Sequence, residues 1–285
     1  MTVGHVLAIV QAECVKLSTR LSARLGLVLA VLIGISMPLL LWMVNTDTAA
    51  VNGATLSESL DASAPRAALW ALYLRNLWVM QAVVLLLVAQ SLAGELQART
   101  LREDLLRPVS RGAVLIAKFS AVGLFIALTL SLQYVVSSGM GLLLFGTDGP
   151  WLDVFLGYIA TALGDLSFAA FAFAVTAMLR SVPATILVTM LFIVFEKLVA
   201  WALFIAGGIL EGMQNMPPEM QVFAIPEAAY LLFDLQPGLP SSAWGMGNTL
   251  ATGLDVGLIT WSAAALYFAT GLLVAFVRFA RMDVP

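Results

Sequence analysis

The chain has 285 residues, of which 61% are hydrophobic and 11% charged, with a formal net charge of −3 and a mean hydropathy of +0.98. Soluble domains carry roughly 25% charged and 45–50% apolar residues, so a water-soluble fold of this size would have too little polar surface to cover itself. A single cysteine, Cys14, and a single histidine, His5, exclude an intrachain disulfide framework and any site built from several Cys or His ligands.

At the N-terminus, Val3, Leu7, Val10, Cys14, Leu17 and Leu21 recur at spacings of four and three, which makes one apolar stripe on a helix. Gln11, Glu13, Lys16 and Arg20 fall away from that stripe. A secretory signal has a basic end and then one short apolar core, whereas here an amphipathic stretch comes first. Residues 1–24 are therefore expected to carry a helix lying in the cytoplasmic interface, with a soluble surface helix as the alternative.

Residues 25–285 read as an all-α polytopic domain. A spanning helix needs about 20 mostly apolar residues, and six stretches qualify: 25–44, 76–94, 113–136, 152–179, 184–209 and 254–277. The third apolar run continues to Phe145, and Ser137-Ser138-Gly139 is where it is expected to break or tilt. With the N-terminus inside, all but three of the 14 basic residues lie at or near the cytoplasmic side; Arg66 and Arg75 fall outside and Lys197 within a span. The positive-inside rule thus puts both ends in the cytoplasm. Trp42, Trp78, Trp151 and Trp244 sit near predicted outer span ends, as an aromatic belt would. The outer segments 45–74 and 210–250 are long enough to fold. Short helices are expected there, one of them over 226–233, where Pro226 and Glu227 suit a first turn.

The connection between spans two and three is the most informative segment. Residues 99–106 can form two helical turns with Leu101 and Leu105 on one face and Arg102, Glu103 and Asp104 around it. Pro108 ends that helix and Ser110 can cap the next. A short helix with apolar teeth on a charged collar suits docking into a groove on a soluble partner; an ordinary solvated loop is the alternative. In order, Gly94-Glu95, Thr100-Leu101, Leu105-Leu106, Pro108-Val109-Ser110-Arg111 and Lys118 resemble the coupling region of type-2 ABC exporter permeases, the membrane subunits of drug, polysaccharide and copper-processing systems. Arg99 stands where that pattern usually has Gly, and Glu103-Asp104 precede the leucines.

The resemblance implies a multi-pass subunit of the bacterial inner membrane, paired with a second copy or a paralogue and bound to two cytoplasmic ATPases. It assigns ATPase coupling to Glu95, Arg99, Thr100, Leu101, Leu105, Leu106, Pro108, Arg111 and Lys118, and leaves ATP and magnesium to the partner. The chain itself supports that division of labour. A phosphate loop needs Gly-Lys followed by Ser or Thr, and the three lysines, Lys16, Lys118 and Lys197, follow Val15, Ala117 and Glu196. Hydrolysis therefore falls to another polypeptide, and the chain is expected to be non-catalytic, with no cofactor or metal of its own and no nucleic-acid partner.

Three ionisable residues fall inside predicted spans. Asp165 lies 15 residues before Arg180 and Glu196 15 after Ser181, so both are about 22 Å from the turn between spans four and five. The matching depth predicts an Asp165–Lys197 bridge. A place on the translocation path, with Glu196 meeting a cation or polar group, is the alternative. Glu196 and Lys197 point about 100° apart and do not simply neutralise each other. Asp255 is expected at the outer rim, and Met213, Met216 and Met220 read as ordinary apolar residues, not Cu(I) ligands. Two rival functions remain. An ion-coupled secondary transporter would use Asp165, Glu196 and Lys197 but favours internal repeats and broken helices. An intramembrane enzyme lacks both the metal ligands and a second facing aspartate.

Overall fold

The computed structural model describes residues 3–48, 63–76, 79–98, 110–214, 239–244 and 258–281. Among these residues the chain is helical, with no strand. The helices are α1 (Val3–Thr19), α2 (Leu21–Thr48), α3 (Ala64–Asn76), α4 (Val79–Gln97), α5 (Arg111–Phe145), α6 (Trp151–Leu179), α7 (Val182–Gln214), α8 (Pro240–Trp244) and α9 (Leu258–Ala280). Six of them, α2, α4, α5, α6, α7 and α9, contain stretches long and apolar enough to cross a membrane. Leu143 is 82% and Leu258 83% exposed, and large apolar side chains also cover the outer faces of α2 and α7. Such contiguous apolar surface is what lipid covers, and the chain reads as a multi-pass membrane protein.

Helix α6 sits at the centre, packed on α3, α4, α5, α7, α8 and α9. Small residues bring its backbone close to its neighbours: a Cβ placed on Gly271 of α9 would lie 2.7 Å from the Ala170 carbonyl carbon. Close approach of this kind is how helices associate where lipid removes the hydrophobic drive between them. Helix α5 runs for 35 residues through Ser137, Ser138 and Gly139, where a break or tilt was expected, and it does not break there. The two serines are buried against the bundle, and the Ser137 hydroxyl lies 3.0 Å from that of Tyr158. The predicted cap is present: Ser110 precedes α5 and its side chain accepts from the Ala113 amide. Gly146 and Gly149, with φ of +85° and +128°, turn the chain from α5 into α6.

Parts of the two long segments expected to carry short helices do so, and both helices pack against the bundle. Nine residues of α3 are buried, and a Cβ on Gly141, near the C-terminal end of α5, would lie 2.9 Å from the Ala64 carbonyl oxygen. From there α3 descends along α5 until Gln133 Nε2 donates to the Ala71 carbonyl, 2.9 Å. The second candidate span is Val79–Gln97, close to the expected 76–94. Short helix α8 is the other segment. Its last residue, Trp244, is 2% exposed, and its carbonyl oxygen would lie 2.7 Å from a Cβ on Gly164, near the middle of α6. Trp244 is therefore a packing residue beside Phe168 and Phe171, not part of an aromatic belt. The helix expected over 226–233, together with Asp255 and Trp78, lies outside the described residues.

Candidate functional site

The sequence reading placed Glu95 and Lys118 at the two edges of the connecting segment, and the structure brings them together. Lys118 is fully buried on α5, and its Nζ lies 2.5 Å from Glu95 Oε2 and 3.0 Å from Glu13 Oε2. Glu95 also takes Arg20 at 3.3 Å and Lys16 at 3.8 Å, while Lys16 reaches Glu13 at 3.0 Å. Two carboxylates and three cations thus form one network at the end of the bundle where α1, α4 and α5 meet. Each carboxylate is shared by at least two cations, so the desolvation of one ion is compensated by more than one partner.

On α1, Leu7 is 63% exposed, while Leu17 of the same stripe and Glu13, at 4% and 3%, are turned inward onto the bundle. Glu13 was missed because the apolar periodicity put it on the polar face. The signal lay elsewhere, in one acid three residues ahead of a lysine, close to a bundle end rich in cations. Cys14 is next to it. Burial, and then the Glu13 carboxylate, push the Cys14 thiol above its ordinary value.

Just ahead of Glu95, α4 passes through a π-helical turn, Gln90–Gly94, anchored where the Ser22 hydroxyl donates to Gln90 Oε1 at 3.0 Å. Such turns insert one extra residue and recur at functional sites. At the far edge of the connecting segment, Arg111 Nη1 donates to the Ala280 carbonyl at 3.2 Å and so satisfies the end of α9. Arg99, Thr100, Leu101, Leu105, Leu106 and Pro108 lie outside the described residues.

The second polar site is deep in the bundle. Asp165 does not pair with Lys197. Its Oδ2 accepts from Arg75 Nη2 at 2.5 Å, with side-chain exposures of 2% and 0%. Arg75 Nη1 donates to Asn76 Oδ1 at 3.2 Å, and Asn76 Nδ2 donates to Thr161 Oγ1 at 3.3 Å. The depth argument for Lys197 failed because it did not count Arg75 among the residues packed against α6. Residues 67–74, Ala-Ala-Leu-Trp-Ala-Leu-Tyr-Leu, carried the missed signal, being apolar enough to bury α3, and Arg75 with it, in the bundle.

Glu196 is buried and Lys197 half-buried on α7. Among the described residues, no three His, Cys, Asp or Glu side chains gather as metal ligands would. Residues 27–285 match the family described as "Protein of unknown function (DUF2705)", and the chain belongs to that family. No curated protein matches it.

Proposed function

We propose that this member of the DUF2705 family is the membrane-spanning subunit of an ATP-driven exporter of the type-2 ABC class, coupled through residues 95–111 to separate cytoplasmic ATPases. The observation that carries the reading is the ion network that joins both edges of that segment. Glu95 and Lys118 stand on either side of residues 99–109, and their contact fixes the spacing of the two helix ends from which the segment hangs. Glu13, Lys16 and Arg20 tie the same point to α1. A push on the segment from a closing ATPase pair therefore passes into α1, α4 and α5 together, and into α9 through Arg111 and Ala280.

In this reading α1 lies along the cytoplasmic interface and both chain ends are cytoplasmic, which agrees with the crowding of basic residues at that end. A second copy or a paralogue completes the translocation path. Asp165, Glu196 and Lys197 keep their place near that path, with Asp165 held by Arg75. ATP and magnesium belong to the partner, since no lysine of this chain stands in a phosphate loop.

The test is ATP hydrolysis by the purified chain, alone and with the ATPase that co-purifies from native membranes. The chain alone is expected to be inactive, and hydrolysis is expected to appear with the partner. Robust hydrolysis by a pure, partner-free preparation would sink the reading.

A further inference from the structure

Along the lipid-facing side of α9 runs an apolar furrow in two pools that share Phe268. One, about 450 Å³, is lined by Leu115, Ile116 and Phe119 of α5 and by Phe268, Leu272 and Phe276 of α9. The other, about 210 Å³, lies between α6 and α9 at Leu163, Leu166, Trp261 and Ala265. Phe268, which lines both, meets the Phe119 ring edge to face, centroids 5.8 Å apart. From Phe276 to Trp261 the furrow follows 15 residues of helix, about 22 Å. That is longer than one leaflet of hydrocarbon, about 15 Å.

The end of the furrow at Phe276 is basic. Arg111 is exposed there, four residues before Leu115 on the same face of α5, and its guanidinium spans to the last carbonyl of α9. Arg278 and Arg281 are exposed on the closing turn of α9. A guanidinium at a helix end is a ready partner for phosphate oxygens. An apolar furrow that ends in positive charge has the complement of a phospholipid with an acyl chain and an anionic headgroup.

We propose that this furrow is a binding site for one anionic phospholipid of the leaflet on the α1 side, its acyl chain between α5 and α9 and its phosphate on Arg111. The permease reading enters only in calling that leaflet cytoplasmic, so the site stands or falls without any ATPase.

The test uses the full chain in phosphatidylcholine nanodiscs doped with phosphatidylglycerol that carries a photoactivatable group on one chain. Adducts are expected on residues 115–119 and 268–276. Leu272→Trp, a change on the lipid-facing side, is expected to abolish those adducts and to leave any on the outer faces of α2 and α7. Ala265→Leu narrows the other pool and serves the same purpose if Leu272→Trp does not fold. Arg111→Gln is expected to reduce the preference for phosphatidylglycerol over phosphatidylcholine about fivefold. The proposal is overturned by adducts spread evenly around the bundle, by an adduct map unchanged in the filled variant, or by an unchanged headgroup preference in Arg111→Gln. It is equally overturned if a second copy of the chain cross-links into the furrow in place of lipid.

Discussion

Asp165→Asn keeps the size of the side chain and removes its charge, leaving Arg75 with an amide where a carboxylate had been 2.5 Å away. Both partners are almost completely buried, so solvent screening, which reduces exposed pairs to about 0–1 kcal/mol, does not apply. Breaking a buried pair by removing one partner costs about 3–5 kcal/mol. The amide oxygen can still accept one hydrogen bond, which restores about 0.5–1.5 kcal/mol. The net loss is thus expected near 2–4 kcal/mol. Arg75→Met strands Asp165 in the same way, and the double variant, with no ion left to desolvate, should lose clearly less than the two single losses added together. Unfolding in mixed detergent micelles, followed for all three variants, measures this coupling. Lys197→Met combined with Asp165→Asn is the control, and those losses should add within about 0.5 kcal/mol. Additive losses for Arg75 and Asp165, or strong coupling of Asp165 to Lys197, would refute the pairing.

Gly164→Ala puts a methyl group 2.7 Å from the Trp244 carbonyl oxygen, which should expel α8 and cost about 1–3 kcal/mol. A cysteine introduced at Ala243, protected from an impermeant maleimide in the parent, should then become reactive, and continued protection would contradict the packing. Lys118→Met removes the one fully buried cation that Glu13 and Glu95 share and leaves them only Lys16 and Arg20, so limited proteolysis should release α1 from the bundle, and adding Glu13→Gln and Glu95→Gln should restore part of the protection. Cys14 reacts as its thiolate, and its thiol is pushed up by burial and then by Glu13. Its alkylation should therefore be slow at neutral pH and accelerate only above the range of an ordinary thiol. A fast reaction at pH 7 would show that α1 is not seated on the bundle.

The six long apolar helices were legible because a membrane solvent leaves one strong signal, about 20 consecutive apolar residues, and most predicted bounds fall within a few residues of the helices. The pairing of Glu95 with Lys118 was not legible as a contact, although both residues stood out through the order of the motif. Their meeting depends on how α4 and α5 pack, and spacing along the chain carries no such information. Arg75 and Glu13 were misplaced for a common reason. Each is a charged residue in an apolar neighbourhood, and hydropathy assigns charge to solvent unless a partner is known. The partners, Asp165 and Lys118, are 90 and 105 positions away in sequence. Trp244 was misread because an aromatic residue near a span end is usually interfacial; the small Gly164 surface that receives it belongs to another helix.

The central claim is that residues 95–111 dock a separate ATPase. Leu101→Asp with Leu105→Asp puts two charges on the face meant for an apolar groove, where an unpaired charge is strongly disfavoured. The direct measurement is quantitative affinity capture of the full chain from native membranes, parent against double variant, with ATPase protein and ATP hydrolysis read in the same eluate. The account predicts equal amounts of folded membrane subunit in both captures, with the ATPase and its activity retained by the parent and lost from the double variant. A double variant that retains the full complement of ATPase, or a parent that captures none, would contradict it.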